Sequence, residues 1–270
     1  MLGKLYKHEF KETAKPLIPL NLVLIVFTII GAIMLGTDIL QNESFEILAV
    51  TCMMLYIMSI FTVFIVTMVY LTIRFYKTMY SRQGYLTHTL PVSTGSIINT
   101  KIIVSSLWMF VSMIITGMSV FILVKVTAGS ELDAAAFQEA VTVFPEIFGM
   151  ELAEFVIWMI VLCVISCIAS VLMLFVSLSI GQLFHQHRVL ASIIAYVVIY
   201  IIQQIIGTVS VLIMGIGNLD ELAMDTASST LNMASFYRGT FWMGLIQSLI
   251  FGIIFYVLCH YFTKKKLNLE

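Results

Sequence analysis

Residues 189–216 read VLASIIAYVVIYIIQQIIGTVSVLIMGI. Not one of these residues is Asp, Glu, Lys or Arg. A helix rises 1.5 Å per residue and the hydrocarbon core of a bilayer is about 30 Å thick, so roughly 20 such residues cross it. Five further runs share this character: Leu17–Leu35, Ile47–Ile73, Ile102–Val124, Phe155–Ile180 and Thr240–Phe262. The sequence therefore predicts an all-α polytopic membrane protein, with six transmembrane helices over 17–35, 47–73, 102–124, 155–180, 189–216 and 240–262. One membrane domain covers 1–270, since no hydrophilic domain, internal repeat or low-complexity linker interrupts the pattern.

Composition agrees. Hydrophobic residues make up 60% and charged residues 11% of the chain, against about 45–50% and 25% in soluble domains. The longest basic run is Lys264–Lys266, too short for a nucleic-acid surface. All four cysteines fall inside apolar runs, which suits buried thiols rather than a disulfide framework or a zinc site. The first run is longer than a signal-peptide core and lacks a small-x-small cleavage site after it, so it is expected to be retained.

The charges sort by side. With the N-terminus in the cytoplasm, 12 of the 14 basic residues lie inside and 12 of the 15 acidic residues outside. Basic residues set orientation, so both termini are expected to be cytoplasmic.

Residues 2–15, LGKLYKHEFKETAK, form a basic amphipathic pattern. On a helical wheel Lys4, Lys7, Lys11, Lys15 and His8 share one arc, and Leu2, Leu5, Tyr6 and Phe10 the other. Such a helix suits the anionic inner face of a membrane. Pro16 disfavours helix at Lys15, so the helix is expected to end there before the chain turns into the bilayer. Glu9 breaks the pattern. It sits in the apolar arc, where a carboxylate is costly unless paired; Arg74, Lys77 and Arg82 are its candidate partners at the same surface, and hydrogen bonds from a neighbouring helix end are the alternative.

The loop 74–101 reads RFYKTMYSRQGYLTHTLPVSTGSIINTK. It is too long for a tight turn and too apolar for a flexible linker. Residues 75–81 extend the second helix past the membrane face, Gly84 ends it, and Ser93 or Thr94 caps the next helix. Phe75, Tyr76, Met79, Tyr80, Arg82 and Tyr85 make this segment a candidate contact element at the cytoplasmic surface, because aromatics, Met and Arg are enriched in interfaces. Anchoring in an interfacial aromatic belt is the alternative.

Catalytic motifs are missing from the sequence: there is no P-loop, no H-E-x-x-H, no G-x-S-x-G and no EF-hand loop. His185 and His187 point apart on a helix, and no metal or other cofactor is expected. The spans carry no formal charge, whereas ion-coupled transporters usually place ionisable residues there. Gln203 and Gln204 lie near the middle of the fifth span and offer either a polar cavity or an interhelical hydrogen bond. Gly244, Ser248 and Gly252 recur every four residues in the sixth span, a spacing that permits close helix packing.

The pattern KLYKHEFK, the stretch FYKTMYSRQGYLTHTLPVS…NTK and six spans with both ends inside resemble the permease subunits of bacterial ABC-2-type transporters, particularly Firmicutes-like ones. The resemblance covers the whole chain in layout and is concentrated in residues 4–20 and 74–101. It implies a connecting helix over 2–15 carrying Glu9, Lys4, Lys7 and Lys11, and a coupling helix within the 74–101 loop at about 75–82. It also implies a second copy or a related permease, and a separate ATP-binding-cassette subunit that hydrolyses ATP, so that this chain is no enzyme itself. Re-entrant helices between the last two spans would match Asn218–Tyr237. The expected substrate is a peptide, antibiotic or lipid-like molecule exported across the bacterial cell membrane. An ion-coupled secondary transporter, a membrane enzyme and a membrane assembly or immunity protein are the competing classes.

Overall fold

The computed structural model describes residues 2–36, 46–81, 83–84, 92–128, 134–184, 186–222 and 226–265. Among the described residues it contains seven helices of 15 residues or more and no strand: α1 Leu2–Gly36, α2 Glu46–Met79, α3 Thr94–Ala128, α4 Ala134–Phe148, α5 Leu152–Gly181, α6 Arg188–Leu222 and α7 Thr226–Lys265. All except α4 are long and apolar enough to cross a membrane. The chain is thus an all-α, multi-pass membrane protein with six spans, as the charge-free runs require. The helices group into two compact units, Met1–Asp133 with α1–α3 and Ala134–Glu270 with α4–α7.

In the first unit, Lys101 reaches Glu9, Asn21 reaches Ser112 and Thr28 reaches Ser119, at sequence separations of 92, 91 and 91 residues. A constant separation means that α1 and α3 run parallel in fixed register. Against α2 the order reverses: Arg74 meets Glu9, Tyr70 meets Glu12, and Tyr56 reaches Ser119 beside Thr28. The α3 face toward this seam carries small buried residues seven apart, Ser105, Ser112 and Ser119, which let helices approach where lipid supplies no hydrophobic drive. Leu24, Tyr56, Val63 and Leu123 form an apolar cluster further along the same seam.

The helix expected over residues 2–15 forms, but it does not end at Lys15. It continues unbroken through Pro16 and Pro19 as the first turns of α1. Proline at position 16 cannot donate to the Glu12 carbonyl, which ordinarily breaks a helix. Here the Tyr70 hydroxyl donates to that same carbonyl at 3.3 Å. A neighbouring helix thereby satisfies the freed group, which is how prolines are tolerated in membrane helices. At the next helix boundary, α3 starts at Thr94. The Ser93 hydroxyl faces the Ser96 N–H at 3.4 Å, the cap expected there.

In the second unit α5 packs on both α6 and α7, and its C-terminal half, including Val171, Phe175 and Val176, is buried. The turn into α6 depends on Gly181. A Cβ there would lie 2.7 Å from the Ser192 nitrogen and 2.8 Å from the Arg188 carbonyl oxygen, so only glycine fits.

The segments joining the third to the fourth and the fifth to the sixth apolar runs are largely helical where described. Within 125–154, α4 is an added helix carrying Pro145, closed by Gly149 at φ 67 with its N–H on the Pro145 carbonyl at 2.9 Å. Rings hold it in place: Phe148 stacks on Phe144 at 4.4 Å and meets Phe155 and Tyr237 at 5.4 and 5.0 Å. The segment expected to hold re-entrant helices, Asn218–Tyr237, instead continues α6 to Leu222 and opens α7 at Thr226; residues 223–225 lie outside the described ones.

Candidate functional site

The polar centre of the first unit is built around Glu9. Its position in the apolar arc turns it toward α2 and α3, and the residue is only 9% exposed. Lys101, at the start of the α3 apolar run and 5% exposed, donates from Nζ to Oε1 at 2.6 Å. Arg74, at the end of the α2 apolar run, donates from Nη2 and Nε to Oε2 at 2.7 and 3.1 Å. Arg74 Nη1 also faces the Tyr70 hydroxyl at 3.4 Å. One carboxylate therefore ties three helices together, and through Tyr70 the tie extends to the Glu12 carbonyl opened by Pro16. Beside it, Phe10 and Trp108 stack with ring centroids 5.2 Å apart.

All three charged residues flank the charge-free runs rather than lying within them. Burial alone would raise the Glu9 carboxyl. Lys101 and then Arg74 outweigh burial and hold it below its usual value, so Glu9 is ionised at neutral pH. Burial draws the Lys101 ammonium below its usual value, and Glu9 opposes that. The cluster carries two cations on one anion, with both carboxylate oxygens occupied. Such an arrangement binds helices in fixed relation; it has neither a nucleophile nor an open metal position.

The remaining candidates are placed as follows. Lys4, Lys7 and Lys11 are exposed on α1, as the wheel requires. The contact element is corrected: Phe75, Met79 and Tyr80 are 1%, 0% and 3% exposed and turn inward, leaving Tyr76 half-buried and Lys77 exposed. The cause is spacing. Leu71, Phe75 and Met79 fall every four residues, so the buried stripe of α2 runs on past its charge-free part. Arg82 and Tyr85 lie outside the described residues, as does His185.

In the second unit Gln204 lines a groove between α6 and α7, together with Gln247 and Gly244. Gln203 does not line it; its backbone carbonyl faces the Gln247 amide at 3.5 Å. Among the described residues, the two glycines of the Gly244, Ser248, Gly252 stripe make no tight approach. A Cβ at Gly244 would meet Leu162 at an ordinary 3.8 Å, and at Gly252 it would meet nothing within 4 Å. Among the described residues no three His, Cys, Asp or Glu side chains gather to hold a metal.

Two participants, Lys101 and Tyr70, escaped the sequence reading. A signal existed for each. Lys101 directly abuts the N-terminal end of the third apolar run, and Pro16 in a long helix demands a donor for the Glu12 carbonyl. No protein-family model, curated protein or solved structure matches the chain.

Proposed function

We propose that this chain is the membrane-spanning subunit of an ABC-2-type transporter of a bacterial cell membrane, working with a second permease copy or a related permease and a separate ATP-hydrolysing subunit. The observation that carries the reading is the Glu9–Arg74–Lys101 cluster. It joins the basic N-terminal turns of α1 to the ends of α2 and α3 at the side where positive charge concentrates. A force applied there by a cytoplasmic motor reaches three helices at once. The absence of formal charge from the six apolar runs favours an external motor over coupling to an ion gradient. The substrate class that fits is a peptide, antibiotic or lipid-like molecule, moved outward.

Surface available to the motor differs from an aromatic plate. Tyr76 and Lys77 remain reachable on α2, and Lys4, Lys7 and Lys11 on α1. Co-purification tests the proposal: the tagged full-length chain, extracted gently from native membranes, brings down a P-loop ATPase in stoichiometric amount. Recovery of the chain with no ATPase in several mild detergents refutes it.

A further inference from the structure

The groove between α6 and α7 has a chemistry that the Glu9 cluster does not use. It measures about 410 Å³, within the range of about 300–1,000 Å³ usual for small-ligand sites. Its lining includes Gln204, Gly207, Thr208, Ser210, Thr240 and Gln247. The two glutamines lie near the midpoints of their helices, Gln204 standing 16 residues after Arg188, about 24 Å along α6, while Thr240 opens the sixth apolar run. At that depth an exposed carboxamide with no partner is costly. Gln204 is exposed and makes no hydrogen bond to another described residue. Gln247 makes a single long one, 3.5 Å to the Gln203 carbonyl. Gly207 faces the Gln247 carboxamide, which a Cβ there would touch at 3.4 Å, so a larger side chain would enter the groove.

Among the described residues, none that lines the groove carries a charge. A phospholipid phosphate placed beside the two carboxamides would meet no cation there, which disfavours a headgroup as the occupant. Each carboxamide offers two N–H donors and a carbonyl acceptor. Two of them on facing helices complement the N–H and C=O of peptide units, which are themselves neutral. We infer that the groove lined by Gln204 and Gln247 binds an uncharged, apolar peptide segment through its backbone amides. As a statement of what is transported, this rests on the permease reading; as a statement of binding, it stands apart from it.

The test uses the purified full-length chain in lipid nanodiscs without any ATPase, so that its outcome is separate from co-purification. The probe is the capped tripeptide N-acetyl-Leu-Leu-(p-benzoyl-Phe)-amide, photolysed and mapped by proteolysis. Labelling is expected on residues 204–214 and 240–247. It should fall at least about tenfold in Gln204→Leu/Gln247→Leu, the equivalent of about 1.4 kcal/mol, and similarly in Gly207→Val. Leucine suits a span, so the double variant inserts normally. The uncapped zwitterionic tripeptide should label at least about tenfold less. Equal labelling by both peptides, labelling unchanged in the variants, or adducts spread evenly over lipid-facing positions would each overturn the assignment. A Thr208→Cys variant that forms a disulfide-linked homodimer and loses labelling would also overturn it, by showing that a second copy fills the groove.

Discussion

Replacing Glu9 with Gln removes the only anion from a cluster that holds two cations. Lys101 and Arg74 would keep their positions, with side chains 5% and 17% exposed, and would lose the charge that offsets their burial. Breaking one side of a buried ion pair typically costs about 3–5 kcal/mol, because the stranded partner remains desolvated. The Glu9 side chain retains some exposure, 12%, and glutamine can still accept one hydrogen bond. The lower end applies, about 3 kcal/mol. The natural control is Glu12→Gln on the same helix. Its partner Lys15 is 63% exposed, so no measurable change is expected. The assay is reversible unfolding of the purified protein in mixed micelles, with the denaturing detergent titrated. A second arm strengthens it: Lys101→Met added to Glu9→Leu should recover much of the loss, since an apolar replacement leaves one fewer unpaired charge. Equal small effects of Glu9→Gln and Glu12→Gln would refute the cluster as a tie between helices.

Three further outcomes follow from the same geometry. Tyr70→Phe should cost about 1 kcal/mol by leaving the Glu12 carbonyl without its donor, and should cost less in a Pro16→Ala background, where the backbone N–H returns and only the 3.4 Å contact with Arg74 Nη1 is lost; a thermal-shift double-mutant cycle checks this. Gly181→Ala should destabilise the second unit by more than about 2 kcal/mol, because the new methyl meets backbone atoms that cannot rotate away; slower migration and faster proteolysis at the 182–187 turn report it. With the Glu9 carboxyl held below its usual value, its contribution is complete above the unfolded carboxylate value of about 4.3 and is lost as pH falls through the lower folded one. Melting curves at pH 7 and pH 4 should therefore differ less in Glu9→Gln than in the parent.

The spans were legible because a bilayer leaves no ambiguity: long charge-free runs have no other stable home, and all six became helices. Glu9 was legible for a related reason, since a carboxylate in an apolar arc must find cations, and Arg74 was among those within reach. Helix ends were less so. Pro16 reads as a terminator until α2 supplies the Tyr70 hydroxyl, a tertiary rescue that local rules cannot see. Phe75, Met79 and Tyr80 read as a surface because they follow the last apolar residue of their span, yet their four-residue spacing carries the buried stripe onward. The helix α4 was hidden by its short, mixed composition, and only its rings, which meet α5 and α7, show what anchors it.

We propose that a motor docks at the end of this chain where Glu9, Arg74 and Lys101 meet. The most direct measurement places a photo-crosslinking residue at exposed Lys77 in the full-length protein and irradiates intact native membranes. The account predicts an adduct whose partner contains a P-loop ATPase sequence, formed equally well whichever membrane-side label is used to confirm insertion. Adducts only with lipid or with other copies of the chain, at normal expression and insertion, would contradict it.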